Sequence, residues 1–157
     1  MIPVKSRWEQ SVSAVGSLYR NVFHLLDPGD RKELSRMMED WGREHADEAL
    51  KRLRISRDLR GCALVLMLYH KIFGIKSSIA REMDDEVVIH VSHCMWKDKT
   101  GWTPEICASI EAFETGLVNG VDPSIKHFYT SRRSLGDRVC VMHLQNTKRT
   151  NASCDWG

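Results

Sequence analysis

The sequence predicts an α+β fold, in which three N-terminal helices precede a small antiparallel sheet of about four strands with one inserted helix. Three observations predict it. Apolar residues recur at three- and four-residue intervals up to residue 73, strand-length segments follow residue 75, and Thr103 with Pro104 marks a helix start between them. We expect residues 1–145 to form a single domain, followed by a polar tail at residues 146–157.

Helical periodicity defines the three N-terminal helices. The first is predicted over residues 6–27, with these residues on one inward stripe: Trp8, Val12, Val15, Leu18, Tyr19, Val22, Phe23 and Leu26. The second starts at Asp30 as its cap and runs to about residue 53, with Met37, Met38 and Trp41 facing inward. The third, over residues 58–73, is apolar nearly all round at its centre and ends at Gly74.

Strand periodicity governs the second half of the chain and is interrupted by one helix. Residues 76–83 and 86–94 predict a hairpin. Thr103 caps a helix that carries Cys107 and ends at Asn119 and Gly120. Residues 125–132 and 139–145 predict two more strands, joined by a turn in which Gly136 takes a positive φ.

Composition narrows the class of partner and the compartment. The 23 basic and 21 acidic residues leave a net charge of +2, far short of what phosphate-backbone binding needs, so we expect no nucleic acid partner. The longest apolar run, residues 62–69, is much shorter than the roughly 20 residues that span a bilayer, so we expect no membrane partner. The first residues lack the apolar block of a signal peptide, which predicts a cytoplasmic protein with cysteines free of disulfides.

Three cysteines mark the candidate site. Cys94 ends the second predicted strand, Cys107 lies on the inserted helix, and Cys140 begins the last strand. If the helix packs on the sheet, three thiolates with a histidine or Glu111 as the fourth group would suit Zn or Fe. Glu111 follows Cys107 by four residues and therefore lies on the same side of the helix. Burial as small apolar core residues is the alternative interpretation of these cysteines.

The same residues also suit nucleophilic catalysis. Cys94 is the predicted nucleophile, because strand ends open to pockets more readily than strand centres. His90 is the predicted base and Glu111 the predicted acid, with His93 and His143 as alternative bases. A histidine in a strand is more often structural than catalytic, so both interpretations stay open.

Strand alternation indicates which of these side chains can meet. It places His90 and Cys94 on one face of the second strand, and Cys140 on the opposite face from its neighbouring histidine. Trp96 and Trp102 flank the polar loop that follows. They could wall a small-molecule pocket or cover the end of the sheet.

The order of these segments resembles the L-2-amino-thiazoline-4-carboxylic acid hydrolase-like family. The resemblance lies in the strand ending His-Val-Ser-His-Cys (90–94), the helical Pro-Glu-Ile-Cys-Ala (104–108) and the closing Ser-Leu-Gly-Asp-Arg-Val-Cys (134–140). It extends over residues 33–144 and implies a cytoplasmic bacterial or archaeal α+β protein that opens a thiazoline ring by hydrolysis. Cys94, Cys107 and Cys140 match the family's cysteines.

Two classes of function follow from these patterns. One is a hydrolase-like protein that acts on a non-peptide C–N bond, of cyclic amidine or thiazoline type, through the cysteine cluster. The alternative is a non-enzymatic sensor domain whose cysteines hold a metal and whose pocket takes a small-molecule ligand. An interaction module with core cysteines is a third reading. Trp8, Met37, Met38 and Trp41 form apolar helical faces that are compatible with a homodimer.

Overall fold

The computed structural model describes residues 3–97 and 99–147 of the chain. Its elements in order are α1 (Val4–Leu25), α2 (Pro28–Leu53), α3 (Leu59–Ile72), β1 (Lys76–Glu82), β2 (Glu86–His93), α4 (Pro104–Val121), β3 (Ile125–Ser131) and β4 (Cys140–Asn146). The predicted α+β class, with three helices first and one helix inserted among four strands, is confirmed. Residues 148–157 of the predicted tail lie outside the described residues.

The sheet is antiparallel, with strand order β1-β2-β4-β3. The central pair is β2 and β4, in which Val87 lies opposite Leu144 and Val91 opposite Cys140. Val87, Leu144 and Met142 are fully buried in the main core, beside residues of α2, α3 and α4. The helices therefore cover one face of the sheet, and the last strand presents Cys140 at one end of that face.

Short polar side chains start three of the helices. Asp27, Asp58 and Thr103 cap α2, α3 and α4, and each accepts a hydrogen bond from the backbone N–H three residues further on. The sequence had predicted Asp30 as the cap of α2, but the cap is Asp27. The reason is that Pro28 fits the first helical turn, where its missing N–H leaves no helical hydrogen bond unmade.

Glycines allow α2 and α4 to pack backbone against backbone. Gly42 of α2 faces the carbonyl of Phe113, and Gly116 of α4 faces the carbonyl of Glu39. A methyl group on either glycine would lie well inside contact distance of the opposing backbone. This close packing positions α4 between α2 and the sheet, so that side chains from α4 reach both.

Apolar residues of α1 occupy two faces and not the single stripe that the periodicity predicts. Val12 and Phe23 are buried against the rest of the molecule. Six residues predicted above to face inward on α1 and α2 are exposed: Trp8, Val15, Leu18, Val22, Met37 and Trp41. Two adjacent apolar faces produce the same mixture of three- and four-residue intervals as one broad face, so spacing alone cannot separate them.

The described part of the chain contains no helix long and apolar enough to cross a membrane. The cytoplasmic location stays a prediction.

Candidate functional site

The three predicted site cysteines lie around one small pocket of about 60 Å³ at the end of the sheet. Cys94 comes from the turn after β2, Cys107 from the first turns of α4, and Cys140 from the start of β4. We call this space the cysteine pocket. Residues far apart in the chain meet here because α4 packs on β3 and on the short 3₁₀ turn Arg133–Leu135 that precedes β4.

The thiols of the cysteine pocket are in environments that favour the protonated form. Burial raises the pKa of Cys94 and of Cys140, and raises that of Cys107 to about 11. The sulfur of Cys107 accepts a hydrogen bond from Trp102 Nε1 at 3.0 Å, and that of Cys140 accepts one from the backbone N–H of Arg133 at 3.3 Å. Attack on an electrophile and ligation of a metal both need the thiolate, which is scarce under these conditions at neutral pH.

No group of three histidine, cysteine, aspartate or glutamate side chains within residues 3–97 and 99–147 could hold a metal ion. The described residues thus give no support to the assignment of Cys94, Cys107 and Cys140 to Zn or Fe, which stays a prediction.

The predicted base does not line the cysteine pocket. His90 is exposed in β2, whereas Val91 and Cys94 line the pocket. The common face predicted for His90 and Cys94 is wrong, because β2 ends at His93 and Cys94 already belongs to the following turn. Strand alternation does not continue through a turn.

The alternative bases also lie elsewhere. His93 is exposed, and His143 belongs to the face of β4 opposite Met142. His143 Nδ1 is 2.9 Å from Glu86 Oε1, and its Nε2 is 2.9 Å from the hydroxyl of Thr130. These contacts hold the ring on the sheet face that the helices do not cover.

Glu111, the predicted acid, does line the cysteine pocket. Its two oxygens accept hydrogen bonds from Arg132 Nε at 2.7 Å and Nη2 at 3.0 Å. This bidentate pair sets the orientation of the carboxylate and balances its charge. The structure therefore brings Glu111 together with the three cysteines, already engaged by an arginine.

A larger cavity of about 200 Å³ lies between α1, α2, α4 and the end of α3. We call it the apolar cavity, because aromatic and aliphatic side chains make up most of its wall. The aromatic residues in the wall are Tyr19, Trp41, Tyr69, Phe73, Trp96, Trp102 and Phe113. Its boundary with the cysteine pocket is formed by residues that line both spaces: His70, Ile75, Trp96, Trp102, Ile110 and Glu114.

Glu114 is buried at this boundary and organises a polar network. Its Oε1 accepts a hydrogen bond from His70 Nε2 at 3.0 Å, and its Oε2 accepts one from the Tyr129 hydroxyl at 2.6 Å. Burial alone would raise the pKa of Glu114, but the attraction of His70 and His127 and the hydrogen bonds from His70 and Tyr129 hold it below its ordinary value. The wall that separates the two spaces therefore contains a buried carboxylate whose oxygens are bonded to protein groups.

The sequence interpretation did not single out Glu114 or Tyr129. A signal for Glu114 was present, since it lies between Phe113 and Leu117 on the apolar side of α4. An acidic residue at a core-facing helical position requires buried partners, and this requirement points to a functional or structural network. The partner tyrosine is 15 residues further on, in β3, and its contact depends on the packing of α4 on the sheet.

Helix α1 closes the apolar cavity through hydrogen bonds to the loop between β2 and α4 and to α4. Trp96 Nε1 donates to the carbonyl of Val12 at 3.0 Å, and the Tyr19 hydroxyl donates to Ser109 at 2.8 Å. Further along α1, the side chains of Arg20 and His24 reach loop carbonyls at 2.6 Å and 2.8 Å. The indole ring of Trp96 therefore forms part of the cavity wall and also attaches α1.

Comparison with known proteins gives structural neighbours but no family. No family model matches the chain, and no curated protein matches it, so the resemblance to the hydrolase-like family stays a prediction. One solved structure with the same fold is the phenol-responsive sensory domain of the transcription activator PoxR with phenol. It has a TM-score of 0.62 and 14% identity, over 90% of this chain and 80% of that chain.

A second neighbour is the trafficking protein particle complex subunit 3 from Naegleria fowleri, covalently bound to palmitic acid. It has a TM-score of 0.62 and 16% identity, over 90% of this chain and 95% of that chain. At these identities the likeness shows the fold alone.

Proposed function

We propose that this protein is a non-enzymatic binding domain that takes one small, mostly apolar molecule into the apolar cavity. The observation that carries the proposal is the cavity itself, with about 200 Å³ of space between the helices and a wall of aromatic and aliphatic side chains. A globular protein seldom keeps empty space of this size in its interior, because unfilled volume forfeits packing contacts.

The size of the cavity favours a molecule with one ring over a long acyl chain. An engineered cavity of roughly 150 Å³ in another protein accommodates benzene. The apolar cavity, at about 200 Å³, has room for such a ring with a substituent. A sixteen-carbon chain needs considerably more volume. Phenol, the molecule bound by the PoxR sensory domain, is therefore the first probe to use.

The hydrolase hypothesis receives less support from the described residues. A hydrolase that uses Cys94 needs a thiolate and a nearby base, but burial raises the pKa of Cys94 and His90 is exposed outside the cysteine pocket. Ligand binding needs neither group. The sensor alternative is therefore the better supported of the two, and the cysteines are then wall residues of a ligand-binding region.

Titration with phenol tests the proposal through tryptophan fluorescence, because Trp41, Trp96 and Trp102 line the apolar cavity. We expect saturable quenching of the wild-type protein, confirmed by calorimetry. A Val15→Trp variant places a large ring at the cavity wall from an exposed position on α1, and should weaken phenol binding about tenfold or more.

Val22→Trp is the matched control, because Val22 is also exposed on α1 but does not line the apolar cavity. We expect its affinity for phenol to equal that of the wild type. Absence of saturable binding to the wild-type protein, or equal affinities in the Val15→Trp and Val22→Trp variants, would contradict the proposal.

A further inference from the structure

The wall of the apolar cavity offers no hydrogen-bonding surface. Within residues 3–97 and 99–147, the side chains that line the cavity expose only apolar surface to it. A water molecule in a protein interior needs about two to four polar partners, and cavities that lack them stay dry. The apolar cavity therefore offers a ligand contact with apolar atoms and nothing else.

The wall residues that carry N–H or O–H groups use these groups within the protein. Four aromatic side chains donate hydrogen bonds to protein atoms: Tyr19 to Ser109, Tyr69 to the carbonyl of His45, Trp96 to the carbonyl of Val12, and Trp102 to the sulfur of Cys107. Each of these bonds also fixes the orientation of a wall residue. A polar group on a ligand could recruit such a donor only by breaking a bond that keeps the wall in place.

The imidazole and the carboxylate of the wall, His70 and Glu114, are engaged in the same way. His70 Nε2 is 3.0 Å from Glu114 Oε1, and its Nδ1 is 2.9 Å from the hydroxyl of Ser77. The second oxygen of Glu114 accepts a hydrogen bond from the Tyr129 hydroxyl at 2.6 Å. These partners all lie in the protein, so His70 and Glu114 contribute only apolar surface to the cavity.

We propose that the ligand of the apolar cavity is a compact hydrocarbon, or its halogenated counterpart, that carries no hydrogen-bonding group. Binding of such a molecule removes apolar surface from water and leaves no polar group unpaired. A hydroxyl or amino group on the same body would lose its hydrogen bonds to water and find no partner in the cavity. This inference rests on the proposed binding function and adds to it the chemical class of the ligand.

Four single-ring compounds of nearly equal size test this preference at pH 7, where each of them is neutral: toluene, chlorobenzene, phenol and aniline. We expect toluene and chlorobenzene to bind with similar affinities, about tenfold or more tightly than phenol and aniline. Phenol should still bind, because its ring makes the same apolar contacts. Calorimetry and tryptophan fluorescence give the four dissociation constants.

The outcomes separate the two proposals. If phenol or aniline binds as tightly as toluene, the cavity supplies a polar partner, so the hydrocarbon inference is overturned while the binding function stands. If none of the four compounds binds, both proposals fail. A preference of tenfold or more for toluene and chlorobenzene supports both.

Two neighbouring methionines of α2 provide a variant and its matched control. Met38 lines the apolar cavity, whereas Met37 is exposed and does not line it. Met38→Gln keeps the length of the side chain and brings an amide to the wall, so it should lower the affinity ratio of toluene to phenol about threefold or more. Met37→Gln should leave the ratio unchanged. An unchanged ratio in Met38→Gln would contradict the inference.

A Tyr19→Phe variant tests the wall from the opposite direction and keeps the inference falsifiable even if Met38→Gln does not fold. It removes a hydroxyl that donates to Ser109 and not to a ligand. We expect the affinity ratio of toluene to phenol to stay as in the wild type. A selective loss of phenol affinity in Tyr19→Phe would show that phenol had used this hydroxyl, and would overturn the inference.

Discussion

At the scale of single residues, we expect His127 to make the fold sensitive to acid. Its side chain is buried, its Nδ1 lies 2.9 Å from the Thr115 hydroxyl, and its Nε2 has no hydrogen-bond partner among the described residues. Burial lowers the pKa of His127 below its ordinary value of 6.5, although the charge of Glu114 opposes this shift. As the pH falls through 6.5, the unfolded chain takes up a proton that the folded chain does not.

The free energy of unfolding should therefore be highest above pH 6.5 and should decrease below it, by at most about 1.4 kcal/mol per pH unit from this group. Urea unfolding at pH 7.5, 6.5 and 5.5 measures the effect, and His127→Gln is the comparison. We expect the wild type to lose more stability than the variant between pH 7.5 and 5.5. Equal losses would mean that His127 titrates in the same way in both states.

The thiols of the cysteine pocket provide a second prediction at this scale. Burial raises the pKa of Cys107 from 9.0 to about 11, so its thiolate fraction at neutral pH is about 100-fold below that of an ordinary cysteine. We expect Cys94, Cys107 and Cys140 to be alkylated slowly at pH 7. Peptide-resolved mass spectrometry measures the rate at each cysteine. Rapid labelling of Cys94 alone would instead favour the catalytic hypothesis. One metal ion per chain, lost in Cys140→Ser, would favour the metal hypothesis.

At the scale of elements, the crossing of α2 and α4 depends on glycine. A Gly42→Ala change adds helix propensity worth about 1 kcal/mol, but its methyl group would displace the backbone around Phe113, at a cost of about 1–3 kcal/mol from overpacking. Because the collision is with backbone and not with a flexible side chain, we expect the overpacking cost to be larger. The variant should unfold at a lower urea concentration than the wild type.

Gly29→Ala is the matched control for this prediction. Gly29 lies in the first turn of the same helix, where an added methyl group would meet only the carboxylate oxygen of Asp27 at 3.2 Å. We expect a change in stability within about 0.5 kcal/mol of the wild type, as for a surface substitution. A Gly42→Ala variant as stable as the Gly29→Ala control would contradict the close packing of the two helices.

Local sequence signals were sufficient for most elements. The cap at Thr103, the positive φ at Gly136 and the alternation in β4 depend only on neighbouring residues, and they are found in the structure. The inward faces of α1 and α2 depend on which helices pack together, and their prediction was wrong in part. Met37 and Trp41 are exposed because α2 uses Gly42 and Ala46 for its packing on α4.

The candidate site was likewise predictable only in part from the sequence. That Cys94, Cys107 and Cys140 lie around one space followed from the expectation that the inserted helix packs on the sheet. The apolar cavity was not predictable, because it is bounded by α1, α2 and α4 together. Glu114 could have been singled out as an acidic residue on an apolar helix face, but its partners His70 and Tyr129 come from other elements.

At the scale of the whole molecule, the outer face of α1 predicts association of two copies. Exposed apolar residues recur along it at alternating intervals of four and three residues, the spacing of a coiled-coil seam, with Ser11 as the one polar residue in the series. The apolar residues are Val4, Trp8, Val15, Leu18, Val22 and Leu25. The exposed fractions reach 66% at Leu18 and 86% at Leu25. Met37 and Trp41 of α2 are further exposed apolar residues.

A seam of this kind is complementary to itself, so the expected partner is a second copy of the chain in a two-fold dimer. Light scattering coupled to gel filtration should give twice the chain mass of 18.1 kDa. A Leu18→Glu variant should shift the protein to the monomer, while Gln10→Glu, on an exposed part of α1 away from the seam, should not. A wild-type protein that remains a monomer at high concentration would contradict this prediction.

The way α1 is attached affects how quickly a ligand of the apolar cavity can bind and dissociate. The main core is formed by α2, α3, α4 and the sheet and contains no residue of α1, which is held by its own smaller contacts and by hydrogen bonds such as that from Trp96 to Val12. An element attached in this way separates from the rest at a lower free energy than global unfolding. We therefore expect ligands to enter and leave when α1 separates locally from the core. The residence time of a bound molecule should then depend more on the rate at which α1 opens than on the contacts inside the cavity.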